Sequence, residues 1–216
     1  RPSKKLLHVF GEQVYITDSK TSEDWKKLKA ELEQSEGELL WHKAYSDFFW
    51  GRVNSRYFDP INQLKKNDDY TGYGFIIMTT LCSLIEFLES TYKGEKYRYC
   101  NDNQLNPNEY NKSSNCFTYF LTSKSPFKNK FNEATAKKFY SSIRCGLLHE
   151  ASTKNRWRIW GRSDSGKEII CFESKIVFRD DFEEAIKEYI NSYGKELVQS
   201  KELQQAFIRK FDWLCE

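Results

Sequence analysis

The apolar stretch Phe75-Ile76-Ile77-Met78-Thr79-Thr80-Leu81-Cys82-Ser83-Leu84-Ile85-Glu86-Phe87-Leu88-Glu89-Ser90-Thr91-Tyr92 sets the class of this fold. Within it, Ile77, Leu81, Leu84, Ile85, Leu88 and Tyr92 recur at the spacing that lines one face of an α-helix. Gly94 stands just beyond, where a helix end takes the left-handed conformation that glycine tolerates. At 100° per residue, Glu86 falls opposite the centre of this stripe, beside Thr79 and Ser83. Its first reading is a solvated face; it is retained as an accessory site candidate. The run Gly74 to Leu88 is broken by Thr79, Thr80, Ser83 and Glu86, and is too short to span a bilayer.

Helical spacing extends to both sides. Residues 22–35 read as a polar helix capped by Thr21 or Ser22. Residues 38–58 carry Tyr45, Phe48, Phe49, Val53 and Tyr57 on one face, and Asp59-Pro60 is expected to end them. Glu12 to Ile16 suggests a short strand. Residues 94–113, rich in Asn, Lys and Tyr, read as a surface insertion, and a short helix is expected at 114–122. Ser125-Pro126 marks a turn. Residues 132–151 form the second strong helix, with Ala136, Tyr140, Ile143 and Leu147 as its buried stripe. Then the texture changes. Trp157-Arg158-Ile159-Trp160 and Lys167 to Phe178 are strand-like, and Asp164-Ser165-Gly166 between them predicts a β-hairpin. Two helices, about 181–193 and 195–214, close the chain, with Gly194 separating or kinking them. The expectation is a single mainly α domain over residues 1–216, a helical bundle with an appended β-hairpin.

Composition agrees with a folded domain. Of 216 residues, 39% are hydrophobic and 16% aromatic, so rings can build much of the core. Charged residues make up 30%, but the net charge of +3 does not by itself mark a nucleic-acid binder. The six cysteines are scattered without a C-x-x-C pair, which suits free thiols in a reducing cytoplasm. The N-terminus lacks an apolar signal core. The single methionine is Met78, so an upstream region is expected. No phosphate-binding glycine loop or hydrolase elbow is found, and His8 and His42 have no metal-ligand spacing. No metal, cofactor or membrane association is expected.

Within the second strong helix lies Ile143-Arg144-Cys145-Gly146-Leu147-Leu148-His149. A histidine transfers protons at neutral pH, and an arginine presents a planar fork of donors to phosphate. Together they can cleave a phosphodiester without a metal. The competing reading is a surface arginine and a partly buried histidine on an ordinary helix. Cys145 also precedes His149 by one turn, as a cysteine nucleophile would, but no protease context surrounds it. On an ideal helix His149 lies about 140° round from Arg144. Joint action requires a kink, which Gly146 would ease, or a second subunit.

Residues 153–167 hold Lys154, Arg156, Arg158, Arg162 and Lys167 against Asp164 alone, a local charge of +4. Trp157 and Trp160 are interleaved. Such a pattern can hold phosphates while the indoles stack bases. An amphipathic hairpin with its indoles in the core is the other reading.

The Arg144–His149 block, with the helices at 38–58 and 75–92 before it, resembles the R-x4-6-H signature of the HEPN superfamily. The similarity covers roughly residues 38–155, leaving the hairpin and C-terminal helices (about 156–216) outside it. It implies an up-and-down helical bundle that acts as a metal-independent endoribonuclease in toxin–antitoxin, phage-defence or CRISPR-linked systems. It also implies a homodimer with facing motifs, an antitoxin or other defence-system partner, His149 as general acid/base and Arg144 as the phosphate-holding residue. Cys145 stands where active members often carry Asn or another polar residue. Ala151 stands where one subgroup has a modifiable tyrosine. Some members of the superfamily are non-catalytic interaction modules.

Overall fold

A computed structural model describes residues 14–35, 37–66 and 72–216. The fold is mainly α, a helical bundle with a small appended β-hairpin. Among the described residues there are seven helices: α1 (Ser22–Gln34), α2 (residues 38–65), α3 (Tyr73–Lys93), α4 (Ser113–Ser123), α5 (residues 133–150), α6 (Arg179–Gln199) and α7 (Lys201–Trp213).

The long apolar helix is the hub. α3 runs to Lys93, and Gly94 ends it at φ 65°. Its stripe is buried as the spacing requires, with Ile77, Leu81, Leu84 and Ile85 each 0% exposed. α4, α5, α6 and α7 all pack against it, α4 and α7 most extensively. Among the described residues, α3 alone is long and apolar enough to cross a membrane, with mean hydropathy 1.3. The expectation that this segment is too short is corrected by its length of 21 residues. Even so, 56% of its apolar window is buried inside the fold, as in a core helix.

Rings fill the core. The largest fully buried side chains are Trp25, Tyr193 and ten phenylalanines. Phe139 stacks on Phe182 at 5.6 Å and Trp25 meets Phe211 at 5.3 Å, so aromatic contacts join α5 to α6 and α1 to α7.

Several boundaries differ from expectation. α1 is capped by Thr21, with Asp24 completing the box. Pro60 does not end α2, which continues to Lys65. A widened π turn at Asn54–Phe58 precedes it and relieves the clash that a proline ring makes with the preceding turn. Gly194 does not separate the last two helices; α6 runs through it, and the break falls at Ser200, whose hydroxyl caps α7. A Cβ at Gly194 would lie 2.7 Å from the Tyr45 ring, so this glycine permits close packing of α2. The strand suggested at 12–16 falls partly outside the described residues; within them Tyr15 makes an isolated bridge to Thr21.

The insertion after α3 carries two short parallel strands, β1 (Lys96–Tyr97) and β2 (Glu109–Tyr110). The appended sheet has β3 (Arg158–Trp160), β4 (Ile170–Cys171) and β5 (Ile176–Phe178) in the order β3-β5-β4. The hairpin is β4–β5. β3 pairs parallel with β5, so Asp164-Ser165-Gly166 is a turn on a crossover and not the hairpin turn expected.

Candidate functional site

α5 carries Arg144 and His149, and its path has two local causes. Asn132 caps its start. A π turn at Tyr140–Arg144 widens it just before the arginine. Such turns are rare and are frequent at functional sites. From Cys145 to Glu150 the helix is regular. Arg144 and His149 therefore stay about 140° apart, and about 7.5 Å along the axis.

Gly146 does not kink α5. A Cβ there would lie 2.5 Å from the Ser152 carbonyl, because the chain folds back over the helix end. The Lys154 amide donates to the Ser142 carbonyl at 2.8 Å, and Asn155 donates to the Ser142 hydroxyl at 3.0 Å. Ala151, Asn155 and Arg156 take left-handed backbone to make this turn.

Arg144 reaches into a cleft of about 290 Å³ between α3, α5, α7 and β2. Glu86, Ser83, Tyr110 and Lys210 share its lining. The Arg144 guanidinium lies 3.9 Å from Glu86 Oε2, an ion pair too long for a hydrogen bond. It also lies 5.2 Å over the Tyr140 ring. Glu86 is itself fixed. Its Oε1 accepts from the Tyr110 hydroxyl at 3.0 Å and from Ser113 Oγ at 2.8 Å. Burial beside this carboxylate pushes the Tyr110 hydroxyl well above its ordinary range, so it stays a donor. Glu86 is thus no solvated position; the insertion after α3 folds over that face. The helical period of α3 marks this face but not what covers it.

His149 is exposed and lies outside the lining of this cleft. Its neighbour Leu148, 54% exposed, lines the cleft, and Leu147 and Ala151 line a smaller apolar hollow with Phe75 and Ile76. Cys145 is a half-buried free thiol. Cys82, on the cleft wall, is buried, and burial pushes its thiol up to about 12.

The basic segment divides. Trp157 is in the core, edge-on to Phe172 at 5.8 Å, so its face is not open to a base. Trp160, 49% exposed, carries the Arg158 guanidinium 5.4 Å above its ring. Arg156 and Arg158 are exposed, Lys154 pairs with Glu150 at 3.5 Å, and Arg162 pairs with Glu184 and with Asp181. No group of three or more metal-ligating side chains is found among the described residues.

The residue that sequence reading missed is Lys210. It sits on the buried side of α7, where a lysine is normally excluded. Burial lowers its amine to about 8.

No family model, no curated protein and no solved structure matches this chain.

Proposed function

We propose that this chain is a metal-independent endoribonuclease of the HEPN type, leaving 2′,3′-cyclic phosphate and 5′-OH ends. The observation that carries this reading is the state of Arg144. Its guanidinium is half-buried in a cleft and is steered by the carboxylate of Glu86, yet none of its donors is spent on a hydrogen bond within the described residues. A charge kept in this state is available to the equatorial oxygens of a phosphodiester.

In the mechanism, the 2′-OH loses its proton to His149 as its oxygen bonds to phosphorus. The bond from phosphorus to the 5′ oxygen breaks, and that oxygen takes a proton from the His149 of a facing copy. Arg144 stabilises the charge gathered on phosphorus. A homodimer is supported by the exposure of His149 and Leu148 on α5 and of Phe75 and Ile76 on α3. Arg156, Arg158 and Trp160 offer the strand two charges and one ring. The setting is a cytoplasmic bacterial toxin or phage-defence system, away from membranes, with an antitoxin or other defence protein as partner.

A second reading has its own support. His149 stands outside the Arg144 cleft, which suits a non-catalytic module that binds nucleic acid or protein.

The test is purified protein and mixed RNA in EDTA. Cleavage should proceed, fall by about 10²–10⁴ in His149→Ala, and be severely impaired in Arg144→Lys, which lacks the planar fork. Cys145→Ser should be tolerated. Neutralising Arg156 and Arg158 should flatten the salt dependence of binding by roughly two charges. Cleavage that survives His149→Ala in a folded protein rejects the assignment; binding without cleavage selects the module.

A further inference from the structure

The Arg144 cleft contains a second cation that the ribonuclease reading leaves unused. Lys210 comes from α7, outside the segment that resembles the HEPN superfamily. Its position follows from the Gly94 turn. A Cβ at Gly94 would lie 2.6 Å from the Ala206 backbone, so α7 presses directly on this turn. Lys210 is one helical turn beyond Ala206. Its ammonium donates to Ser90 Oγ at 2.7 Å and to the Glu95 carbonyl at 2.9 Å. An ammonium has three donors; among the described residues the third has no oxygen acceptor, and beside it lies only the Phe87 ring, 5.7 Å to its centroid.

The residue is only 8% exposed, yet it lines the cleft with Arg144 and Ser83. A buried cation costs free energy unless a counter-charge meets it. Glu86 cannot serve fully: its Oε1 holds Tyr110 and Ser113, and its Oε2 faces Arg144. The cleft therefore joins one carboxylate to two cations, and an anion would balance them. The cleft hydroxyls of Thr79, Ser83, Ser90 and Tyr110 already donate within the protein, which leaves the Lys210 ammonium to meet an oxyanion beside the one that the Arg144 guanidinium takes.

We propose that Lys210 forms a second phosphate-binding locus in this cleft, holding the backbone phosphate next to the one that Arg144 clamps. The identity of the strand rests on the ribonuclease reading; the locus itself does not. The charged and titratable groups around it are Arg52, Cys82, Glu86, Glu95, Tyr110, Cys116 and Arg144, and burial holds the Cys82 thiol up at about 12. Burial pushes Tyr110 and Cys116 far upward, so neither titrates between pH 7 and 9. The Lys210 amine, lowered to about 8, does.

The test titrates the full chain with two probes by calorimetry: inorganic sulfate, whose charge is constant over this range, and an uncleavable 2′-O-methyl trinucleotide. For wild type, both affinities should fall about tenfold from pH 7 to pH 9, as the amine loses its proton. Lys210→Met should bind about tenfold more weakly at pH 7 and show no such pH profile. Lys210→Arg should hold its affinity to pH 9. Circular dichroism checks that both variants fold. A merely structural lysine would give a flat wild-type profile, which overturns the proposal even if no variant folds. Folded Lys210→Met binding like wild type overturns it as well. Sulfate binding that depends on Lys210, without RNA binding, supports the locus and removes the ribonuclease reading. RNA cleaved with no dependence on Lys210 keeps the ribonuclease and removes the locus.

Discussion

Two carboxylates of α3, three residues apart, meet arginine and lysine in opposite ways. Glu89 is fully buried and lies 3.2 Å from Lys93 and 3.9 Å from Lys124. Those lysines are further engaged, Lys93 over the Tyr119 ring and Lys124 over the Tyr92 ring. Glu86 is half-buried and holds a guanidinium that faces a cleft. In the first case the carboxylate is sealed from solvent, and both lysines that meet it also rest on tyrosine rings. In the second, an arginine is aimed but left open on one side. The difference separates a charge cluster that binds helices together from one that can receive a ligand.

The largest expected effect falls on the buried cluster. Glu89→Ala would strand the Lys124 ammonium, whose side chain is 11% exposed. Breaking a buried pair in this way should cost about 3 kcal/mol, read from urea unfolding. Burial holds the Glu89 carboxyl above its ordinary value of 4.5, against the pull of both lysines. The folded state then keeps a proton that the unfolded chain has released. Stability from this group therefore falls as pH rises from about 4.5 through the folded value. Glu89→Gln should remove that slope from a plot of Tm against pH. A slope identical to wild type would show that burial does not raise the Glu89 carboxyl.

Glu86→Gln sharpens the contrast from the other side. The amide oxygen can still accept from Tyr110 and Ser113, so stability should change by less than about 1 kcal/mol. Arg144 loses its steering charge, and RNA cleavage should fall roughly tenfold through misplacement of the guanidinium. Unfolding at the wild-type midpoint, with kcat/KM reduced, is the expected pair of readings. Full activity would mean that Tyr140 alone orients the arginine.

Much of this was legible in the sequence, and the misses share a cause. The stripe from Ile77 to Tyr92, the Thr21 cap and the Gly94 stop are local, and local patterns predict them. Gly194 and Gly146 were read as hinges because a sequence does not reveal that Tyr45 or the Ser152 carbonyl will press against them. Pro60 was read as a stop because a π turn has no period of its own. Within the site, Arg144 was found from its spacing to His149. Lys210 was not, because it is adjacent to Arg144 only in space, through the contact of α7 with the Gly94 turn. The lysine beside the apolar stripe of Leu203, Phe207 and Phe211 is the one available signal.

The smallest effect concerns the bond that holds Glu86 from α4. Ser113 Oγ donates to the same Oε1 that accepts from Tyr110. Ser113→Ala removes one of two donors and leaves no buried donor stranded, since the carboxylate keeps the other. Stability should drop by about 1 kcal/mol. Cleavage should fall no more than about threefold, because the Tyr110 hydroxyl still fixes the carboxylate. Tyr110→Phe alone should act similarly on cleavage. The double variant, however, should lose more than the two single losses combined, since Glu86 is then free to swing away from Arg144. A double-mutant cycle on kcat/KM measures that coupling. Strict additivity would show that the two hydroxyls do not act through Glu86, and that the cleft-facing carboxylate is held by the Arg144 charge itself.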